Sequence, residues 1–257
     1  MKKYIQCICS TNENTTPKET IYAIKNAGFD GAFVQWYNLD LDFSQQQQLS
    51  LCRKLGLEVP FVHLAYQGIN DIWLEGEAGD KLTENYIKDL DECKANDVDL
   101  VIMHLSSKQT APAPNMLGIS RLQKIITHAQ ALDIKIAFEN GRKFGYLEYL
   151  FENVKSKNIG VCFDAGHYHC FFKDKFNWQM FRDKIIAIHL HDNDGELDLH
   201  GLPFDGTMNW KEMTDNLKQT TYSGPITLEN KYKGEYTKLP LEDYFKLSLE
   251  KAKKIDL

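Results

Sequence analysis

Six short apolar runs in this chain end on, or close to, a side chain that can bind a metal ion. The runs are VPFVHL, DLVIMHL, IKIAFEN, IGVCFDAGH, IAIHLHDND and ITLEN, and the side chains are those of His63, His104, Glu139, Asp164, His189 and Glu229. Imidazole and carboxylate groups are ligands that Zn²⁺ and Mn²⁺ take in proteins. If the six runs converge in space, the sequence predicts a divalent metal site.

Three of these side chains are carboxylates inside otherwise apolar runs, namely Glu139, Asp164 and Glu229. An unpaired carboxylate costs several kcal/mol to bury, so each needs compensating charge or contact with water. Arg142 is the only arginine close in the sequence to the ends of these apolar runs. A divalent cation would compensate all three carboxylates at once.

A second polar cluster follows the seventh apolar run, in HLHDNDGELDLHGLPFDGTMNW. Asp192 and Asp194 fit a solvated turn as well as they fit a binding site. Asp198 and His200 indicate a binding site more specifically than Asp192 and Asp194 do. Together with His167, they predict either a separate metal site or a set of contacts for a polar substrate.

Short β-rich runs alternate with amphipathic stretches along the whole chain. The predicted strands are Tyr4–Cys9, Gly31–Trp36, Leu57–Leu64, Asp99–Leu105, Ile134–Glu139, Ile159–Asp164, Ile185–His191 and Pro225–Glu229. The predicted helices are Pro17–Ala27, Ser44–Leu55, Lys81–Ala95, Gly118–Leu132, Gly145–Lys157, Trp210–Gln219 and Leu241–Ala252, with a weaker one after Lys173. Eight such units in 257 residues predict one (β/α)₈ barrel domain over residues 1–257 rather than an open doubly wound sheet.

Strand alternation tests this arrangement, because residues two apart on a strand share a face. Two residues before four of the candidates stand the small side chains of Ala137, Cys162, Ala187 and Thr227. Large apolar side chains stand between them, at Phe138, Phe163, Ile188 and Leu228. The pattern predicts that the polar side chains point into the barrel at its carboxyl-terminal face, where barrel enzymes have their active sites.

Composition narrows the function classes. The chain has 30 Lys and Arg against 36 Asp and Glu, a net charge of −6, which disfavours a nucleic-acid partner. No apolar window has the length of a membrane span and no signal peptide is evident, so we expect a cytoplasmic protein with no membrane partner. Its 6 cysteines form no CxxC pair, which favours reduced thiols and disfavours both disulfides and a cysteine zinc site.

The motifs together resemble those of the sugar phosphate isomerase/epimerase proteins of the xylose isomerase-like barrel superfamily, which also includes endonuclease IV. The motifs are the strand-five Glu, FDAGH, HLHDNDG with the later DLH and DGTMNW, and LEN; the similarity covers essentially the whole chain. The resemblance implies one Zn²⁺ or Mn²⁺ ion, held by Glu139, Asp164, His189 and Glu229 with His167 near the substrate. In endonuclease IV the matching positions hold three zinc ions with the addition of His63, His104, Asp198 and His200, and all of these positions have a suitable residue here.

The sequence leaves three enzyme functions open. A metal-dependent sugar or sugar phosphate isomerase/epimerase would move a proton through an enediolate, with Glu139 and Glu229 as catalytic base and acid. The alternatives are an endonuclease IV-like zinc-dependent AP endonuclease and a polyol or inosose-type dehydratase on the same barrel. The acidic charge, and the absence of the DRHENIG-like stretch of the DNA-cleaving proteins, favour sugar chemistry. A non-catalytic binder is disfavoured because both glutamates are present.

The expected substrate is therefore a small polyhydroxylated carbonyl compound. Trp36, Tyr66 and Arg142 are candidate substrate contacts. Further aromatic side chains expected at the barrel mouth are those of Tyr37, Trp73, Tyr168 and Phe171. Two lysines, Lys231 and Lys233, follow the eighth strand and leave open whether the substrate carries a phosphate. The sequence gives no indication of the oligomeric state.

Overall fold

Eight parallel strands form one sheet in the computed structural model, which describes residues 2–8, 15–37 and 42–257. The strands are β1 (Tyr4–Cys7), β2 (Gly31–Trp36), β3 (Val62–Leu64), β4 (Leu100–Met103), β5 (Lys135–Glu139), β6 (Ile159–Asp164), β7 (Ile185–His189) and β8 (Ile226–Leu228). Their order in the sheet is β7-β6-β5-β4-β3-β2-β1-β8. This confirms the predicted (β/α)₈ architecture.

The sheet closes, nearly completely, between its two edge strands β7 and β8. The Leu190 amide donates to the Thr227 carbonyl at 2.9 Å, and the Glu229 amide donates to the Leu190 carbonyl at 3.0 Å. These two bonds place the residues that follow β7 and β8 side by side. The closure therefore sets Glu229 next to the end of the strand that carries His189.

Helices connect the strands. They are α1 (Pro17–Ala27), α2 (Gln45–Lys54), α3 (Glu77–Ala95), α4 (Met116–Ala131), α5 (Tyr146–Asn153), the short α6 (Ala165–His167) and α7 (Trp178–Phe181), α8 (Trp210–Lys218) and α9 (Leu241–Ala252). Local sequence fixes two of the helix starts: Thr16 with Glu19, and Ser44 with Gln47, form capping boxes. None of the described helices is long and apolar enough to cross a membrane.

Several strands are shorter than predicted. Strand β3 begins at Val62 rather than at Leu57, since Pro60 has no amide hydrogen to donate to a ladder. Strand β4 ends at Met103 and β8 at Leu228, so His104 and Glu229 lie one residue beyond their strands. A side chain just past the strand end still lies at the carboxyl-terminal face of the barrel. Residue Cys9, at the predicted end of β1, lies outside the described residues.

The core has two layers, and they confirm the predicted alternation. Inside the barrel, the buried cluster contains Ile5, Cys7, Phe33, Phe61, Ile102, Ala137, Cys162 and Ala187. Between the barrel and the helices lie the large side chains of Phe138, Phe163, Ile188 and Leu228. The small residues below the polar side chains thus leave room for them at one end of the barrel.

The cysteines require one correction. Cys52, Cys93, Cys162 and Cys170 are free thiols, as expected. Cys7 is bonded in a disulfide, so the prediction of six reduced thiols is wrong for this residue. The composition argument missed it because it considered only the spacing of CxxC pairs and the compartment.

Candidate active site

A pocket of about 800 Å³ opens at the carboxyl-terminal face of the barrel. Seven of the nine residues predicted to bind metal, to catalyse or to lie beside the metal line it: His63, His104, Glu139, His167, Asp198, His200 and Glu229. Tyr66 and Arg142 also line it, together with Tyr37 and Lys231. Asp164 and His189 are fully buried and contact these residues at the floor of the pocket.

The Nδ1 atom of His189 lies among all three predicted carboxylate ligands. It is 3.1 Å from Glu139 Oε2, 3.5 Å from Glu229 Oε2 and 4.0 Å from Asp164 Oδ2. The four residues come from β5, β6, β7 and the end of β8, so only the closed barrel brings them together. We call Glu139, Asp164, His189 and Glu229 the floor cluster.

Two further histidines lie over the floor cluster. His63 Nε2 is 3.3 Å from Glu139 Oε2, and His104 Nε2 is 3.4 Å from Glu139 Oε1. The ring of Tyr66 stacks on that of His104, with centroids 4.6 Å apart and planes at 13°. Glu139 therefore links the rest of the floor cluster to this pair of imidazoles.

A second group surrounds the carboxylate of Asp198. Its Oδ2 atom lies 3.3 Å from His167 Nε2, 3.3 Å from His200 Nε2 and 2.8 Å from Arg142 Nη2. We call His167, Asp198 and His200 the rim cluster. The three residues predicted as a separate Asp/His₂ group are thus in contact.

Backbone carbonyls hold three of the imidazoles in one orientation. The Nδ1 atoms of His63, His167 and His200 lie 2.8, 3.0 and 2.9 Å from the carbonyl oxygens of Leu64, Asn140 and Glu229. Since a carbonyl only accepts, Nδ1 must donate in each ring, and in a neutral ring Nε2 then carries the lone pair. Each Nε2 faces a carboxylate, which is the arrangement that a metal ligand requires.

Two residues that the sequence did not assign to the site hold Asp164 in place. The Asn140 side chain accepts from the Asp164 amide at 2.7 Å and donates to the Asp164 carbonyl at 2.9 Å. His191 Nε2 lies 3.2 Å from Asp164 Oδ2, and the His191 ring stacks on His200 at 4.1 Å. His191 is fully buried, and its contacts with Asp164 and His200 link the floor cluster to the rim cluster. The sequence showed His191 in HLHD, but nothing in it indicated the stacking.

The site residues hold most of the unsatisfied polar atoms found in the described part of the chain. Eight buried side-chain atoms there have no hydrogen-bond partner, and five belong to this site: Glu139 Oε2, His189 Nδ1, His189 Nε2, His191 Nδ1 and Asp198 Oδ1. Buried polar groups are almost always satisfied in native proteins. Glu139 Oε2 and His189 Nδ1 lie 3.1 Å apart in the floor cluster, where a cation could satisfy both, so the donor set fits a Zn²⁺ or Mn²⁺ ion.

The pKa shifts of the site residues also favour a cation at this position. Burial alone would lower the pKa of His189, but Cys162 and Glu229 raise it well above its usual value. Burial would likewise raise the pKa of Glu139, but the nearby imidazoles of His104, His167 and His189 hold that pKa well below its usual range. His189 and the carboxylates beside it thus favour each other's charged forms. A divalent cation at the same atoms would supply the positive charge instead.

Some predicted residues do not reach the pocket. Trp36 is 1% exposed and packs between the barrel and the helices, because strand alternation points Gln35 inward and Trp36 outward. Trp73 and Tyr168 are also core residues rather than mouth residues. Phe171 is half-buried and packs against that same core, and Lys233 is not part of the lining.

The two uncertain aspartates have structural roles. Asp192 is fully buried and accepts from the indole Nε1 of Trp210 at 2.7 Å. Asp194 is exposed and accepts from the amides of Glu196 and Leu197 at 2.9 and 2.7 Å, as in an Asx turn. Both aspartates therefore shape the loop that presents Asp198 and His200 to the pocket.

Two uncharacterised proteins are similar: one from Sinorhizobium fredii, 23% identical over 82% of this chain and 80% of its own length, and one from Methanocaldococcus jannaschii, 35% identical over 52% of this chain and 50% of its own. This chain thus spans half the length of the second protein.

Solved structures share the fold. A D-tagatose 3-epimerase-like protein superimposes with a TM-score of 0.73 at 22% identity, over 99% of both chains. The D-psicose 3-epimerase from Clostridium cellulolyticum has a TM-score of 0.77 at 13% identity, over 99% of both chains. A xylose isomerase-like TIM barrel/4-hydroxyphenylpyruvate dioxygenase fusion protein has a TM-score of 0.78 at 19% identity, over 97% of this chain and 42% of the fusion.

The sequence itself carries the family pattern. Residues 21–255 match the family described as Xylose isomerase-like TIM barrel, which is nearly the whole chain. This chain therefore belongs to the xylose isomerase-like TIM barrel family.

Proposed function

We propose that this protein is a metal-dependent sugar isomerase or epimerase that moves a proton through an enediolate intermediate. The observation that carries the proposal is the position of His189 Nδ1, within 4.0 Å of oxygens of Glu139, Asp164 and Glu229 beneath an open pocket. The epimerase names of two structural neighbours support the same class of reaction. The barrel alone would not, because one fold hosts many activities.

The floor cluster would hold one divalent cation, Zn²⁺ or Mn²⁺. Three carboxylates and one imidazole suit either ion. When bound, the ion supplies Lewis acidity that stabilises negative charge as it develops on substrate oxygens. Asn140 and His191 keep Asp164 oriented toward the cluster through the contacts described above.

Glu139 and Glu229 are the proposed base and acid. Glu139 ends β5 and Glu229 follows β8, so they approach the pocket from different sides of the barrel. Both carboxylates reach the pocket lining. An epimerase must remove a proton from one face of a carbon atom and return it to the other, which two separated carboxylates can do. An aldose–ketose isomerisation could use the same pair.

The rest of the pocket suits a small polyhydroxylated substrate. Its volume of about 800 Å³ falls in the range typical of small-molecule sites. Gln35, Asn70 and Ser107 bring uncharged polar groups to the lining, and Tyr66 brings an aromatic face. Hydroxyl groups of a sugar can bond to the former, and its C–H face can pack against the latter.

The test is proton exchange with solvent. The Mn²⁺- or Zn²⁺-loaded protein is incubated in D₂O with a panel of ketoses, aldoses and their phosphates, and deuterium on the carbon next to the carbonyl is followed by NMR. We expect exchange into at least one sugar, with its epimer or isomer as product, and loss of exchange on chelation. Dehydrated product with no returned deuterium would instead indicate a lyase. No exchange into any sugar by fully loaded protein would reject the proposal.

One observation favours a second function, zinc-dependent cleavage of DNA at abasic sites. Two groups of imidazoles flank the floor cluster, at His63 with His104 and at His167 with His200, and each group contacts a carboxylate. Several metal ions placed in this way can activate water and stabilise a leaving phosphate oxygen. The net charge of −6 opposes duplex binding. A nicking assay on an abasic-site duplex separates the two functions, since a sugar epimerase leaves the strand intact.

A further inference from the structure

Asp198 already has a cationic partner. Arg142 Nη2 donates to Asp198 Oδ2 at 2.8 Å, the shortest of the three contacts that this oxygen makes with side-chain nitrogens. The same oxygen is the atom that His167 Nε2 and His200 Nε2 both approach at 3.3 Å. The guanidinium therefore shares the carboxylate oxygen on which both rim-cluster imidazoles converge, and it places a positive charge beside any metal ion that would bind there.

The charges of the two clusters also favour metal binding at the floor cluster over the rim cluster. The floor cluster has three carboxylates, and within the described residues neither lysine nor arginine forms an ion pair with any of them. The rim cluster has one carboxylate, and one arginine neutralises it. A dication entering the floor cluster meets excess negative charge. A dication entering the rim cluster meets a fixed positive charge that shares its principal ligand.

Arg142 is held in this position by its backbone rather than by burial. The Gln109 side chain donates to the Arg142 carbonyl at 2.7 Å, and the Arg142 side chain is 44% exposed. Asp198, in contrast, has a side chain that is only 4% exposed. The arginine thus caps a buried carboxylate from the solvent side, and its removal would leave that carboxylate without its nearest cation.

We propose that Arg142 acts as a resident cation which replaces a second metal ion, so that the protein binds metal at the floor cluster and excludes it from the rim cluster. The inference rests on the proposed metal dependence but not on the identity of the sugar. In this proposal Arg142 sets the number of metal ions in the site, which a substrate contact alone would not do. Replacement of Arg142 should convert the rim cluster into a metal site with His167, Asp198 and His200 as ligands.

The experiment is metal stoichiometry by elemental mass spectrometry, after equilibration with excess Zn²⁺ and removal of free ions. Arg142→Ala and Arg142→Gln are compared with wild type, with Lys143→Ala as matched control and with Arg142→Ala/Asp198→Asn as the double variant. Lys143 is the next residue in the loop, and its ammonium donates to the Ala111 carbonyl, away from Asp198. Circular dichroism and thermal melting confirm that each variant is folded.

We expect one Zn²⁺ per chain in wild type and in Lys143→Ala, two in the Arg142 variants, and one again in the double variant. Two or more ions in wild type would overturn the inference, as would one ion in folded Arg142→Ala and Arg142→Gln. A second ion that persists in the double variant would also overturn it, because the site would not use Asp198. No bound metal in wild type would overturn the metal dependence of the proposed function as well, so the two failures are distinguishable.

Discussion

The Nε2 atoms of His63 and His104 face each other across 3.2 Å. The Nδ1 atom of His63 faces the Leu64 carbonyl, which leaves the Nε2 of a neutral ring with a lone pair to accept from His104. Because both imidazoles also lie beside Glu139, they form one chain of polar contacts that leads from the pocket to the floor cluster. We infer that this pair contacts the substrate rather than a further metal ion, and metal counting tests the inference.

Replacement of His104 by alanine tests this pair. We expect His104→Ala to keep one metal ion per chain and to raise KM for the sugar more than it lowers kcat, because the ring lines the pocket and is 11% exposed. Elemental analysis and steady-state kinetics measure both quantities. Tyr66→Phe is the matched control, since it keeps the stacked ring and removes only the hydroxyl. A loss of one metal ion in His104→Ala would instead make His104 a ligand.

Metal removal should destabilise the fold, because three buried carboxylates would then lie close together without the charge of the cation. A ligand at about 100 times its Kd stabilises a protein by about 2.7 kcal/mol at 25 °C. We expect a chelator to lower the Tm of wild type, and Asp164→Asn to have a low metal content and a Tm that the chelator leaves unchanged. Asp215→Asn, on the surface of α8, is the control and should respond as wild type does. An unchanged wild-type Tm on complete metal removal would contradict the expectation.

Kinetic measurements can distinguish the proposed acid–base roles of Glu139 and Glu229 from metal binding alone. Glu139→Gln and Glu229→Gln keep the shape of each side chain but remove its ability to take a proton. General acid–base catalysis contributes about 10²–10⁴-fold, so we expect turnover to fall by at least about 100-fold in each variant while the circular dichroism spectrum is unchanged. The rates are compared at full metal occupancy, measured on the same sample. Full activity in either variant would remove that glutamate from the acid–base role.

The sequence predicted the parts of this site that follow from strand periodicity. Ala137, Cys162 and Ala187 lie inside the barrel, as the period of two requires, so the side chains two residues later point into the pocket. The same rule, applied to β2, would have kept Tyr37 and excluded Trp36, because Phe33 lies inside the barrel and Gln35 must then follow it. The error came from choosing an aromatic residue by type instead of by alternation.

Other features depend on loop packing, which periodicity does not describe. The stacking of His191 on His200 requires the loop after β7 to fold back, and Asp192 with Trp210 fixes that loop. The pairing of Arg142 with Asp198 joins residues 56 positions apart in two different loops. Contacts of this kind are set by three-dimensional closure of the barrel, so the single sequence could indicate only the residue types involved.

Gly166, in the FDAGH motif, leaves the space that His191 fills. A Cβ atom at Gly166 would lie 1.8 Å from Cε1 of the His191 ring. We expect Gly166→Ala to destabilise the protein by about 1–3 kcal/mol, as overpacking does, and to displace His191 from Asp164. Chemical denaturation measures the free energy of unfolding. Gly141→Ala is the control, because the nearest atom to a Cβ there lies at 3.5 Å; equal stability of the two variants would show that the ring moves aside without cost.

The buried guanidinium of Arg121 holds the turn formed by residues 69–76, beside the pocket. It lies in α4, is 3% exposed, and donates to Asp80 and to the carbonyls of Asp71, Ile72, Leu74 and Gly76. That turn carries Asn70, whose side chain both donates to and accepts from the backbone of Ser107 in the pocket wall at 2.9 Å. Arg121 therefore acts on the pocket through the turn, without lining it.

We expect Arg121→Met to lower the free energy of unfolding by about 3 kcal/mol or more, because it leaves several buried carbonyls unsatisfied at about 1–3 kcal/mol each. Denaturant titration measures this loss, and Lys124→Ala, on the exposed face of the same helix, should change little. Since the turn positions Asn70 and hence Ser107, KM for the sugar should also rise in Arg121→Met while the metal content stays at one ion per chain. A stable variant with unchanged KM would show that the turn keeps its conformation without the arginine.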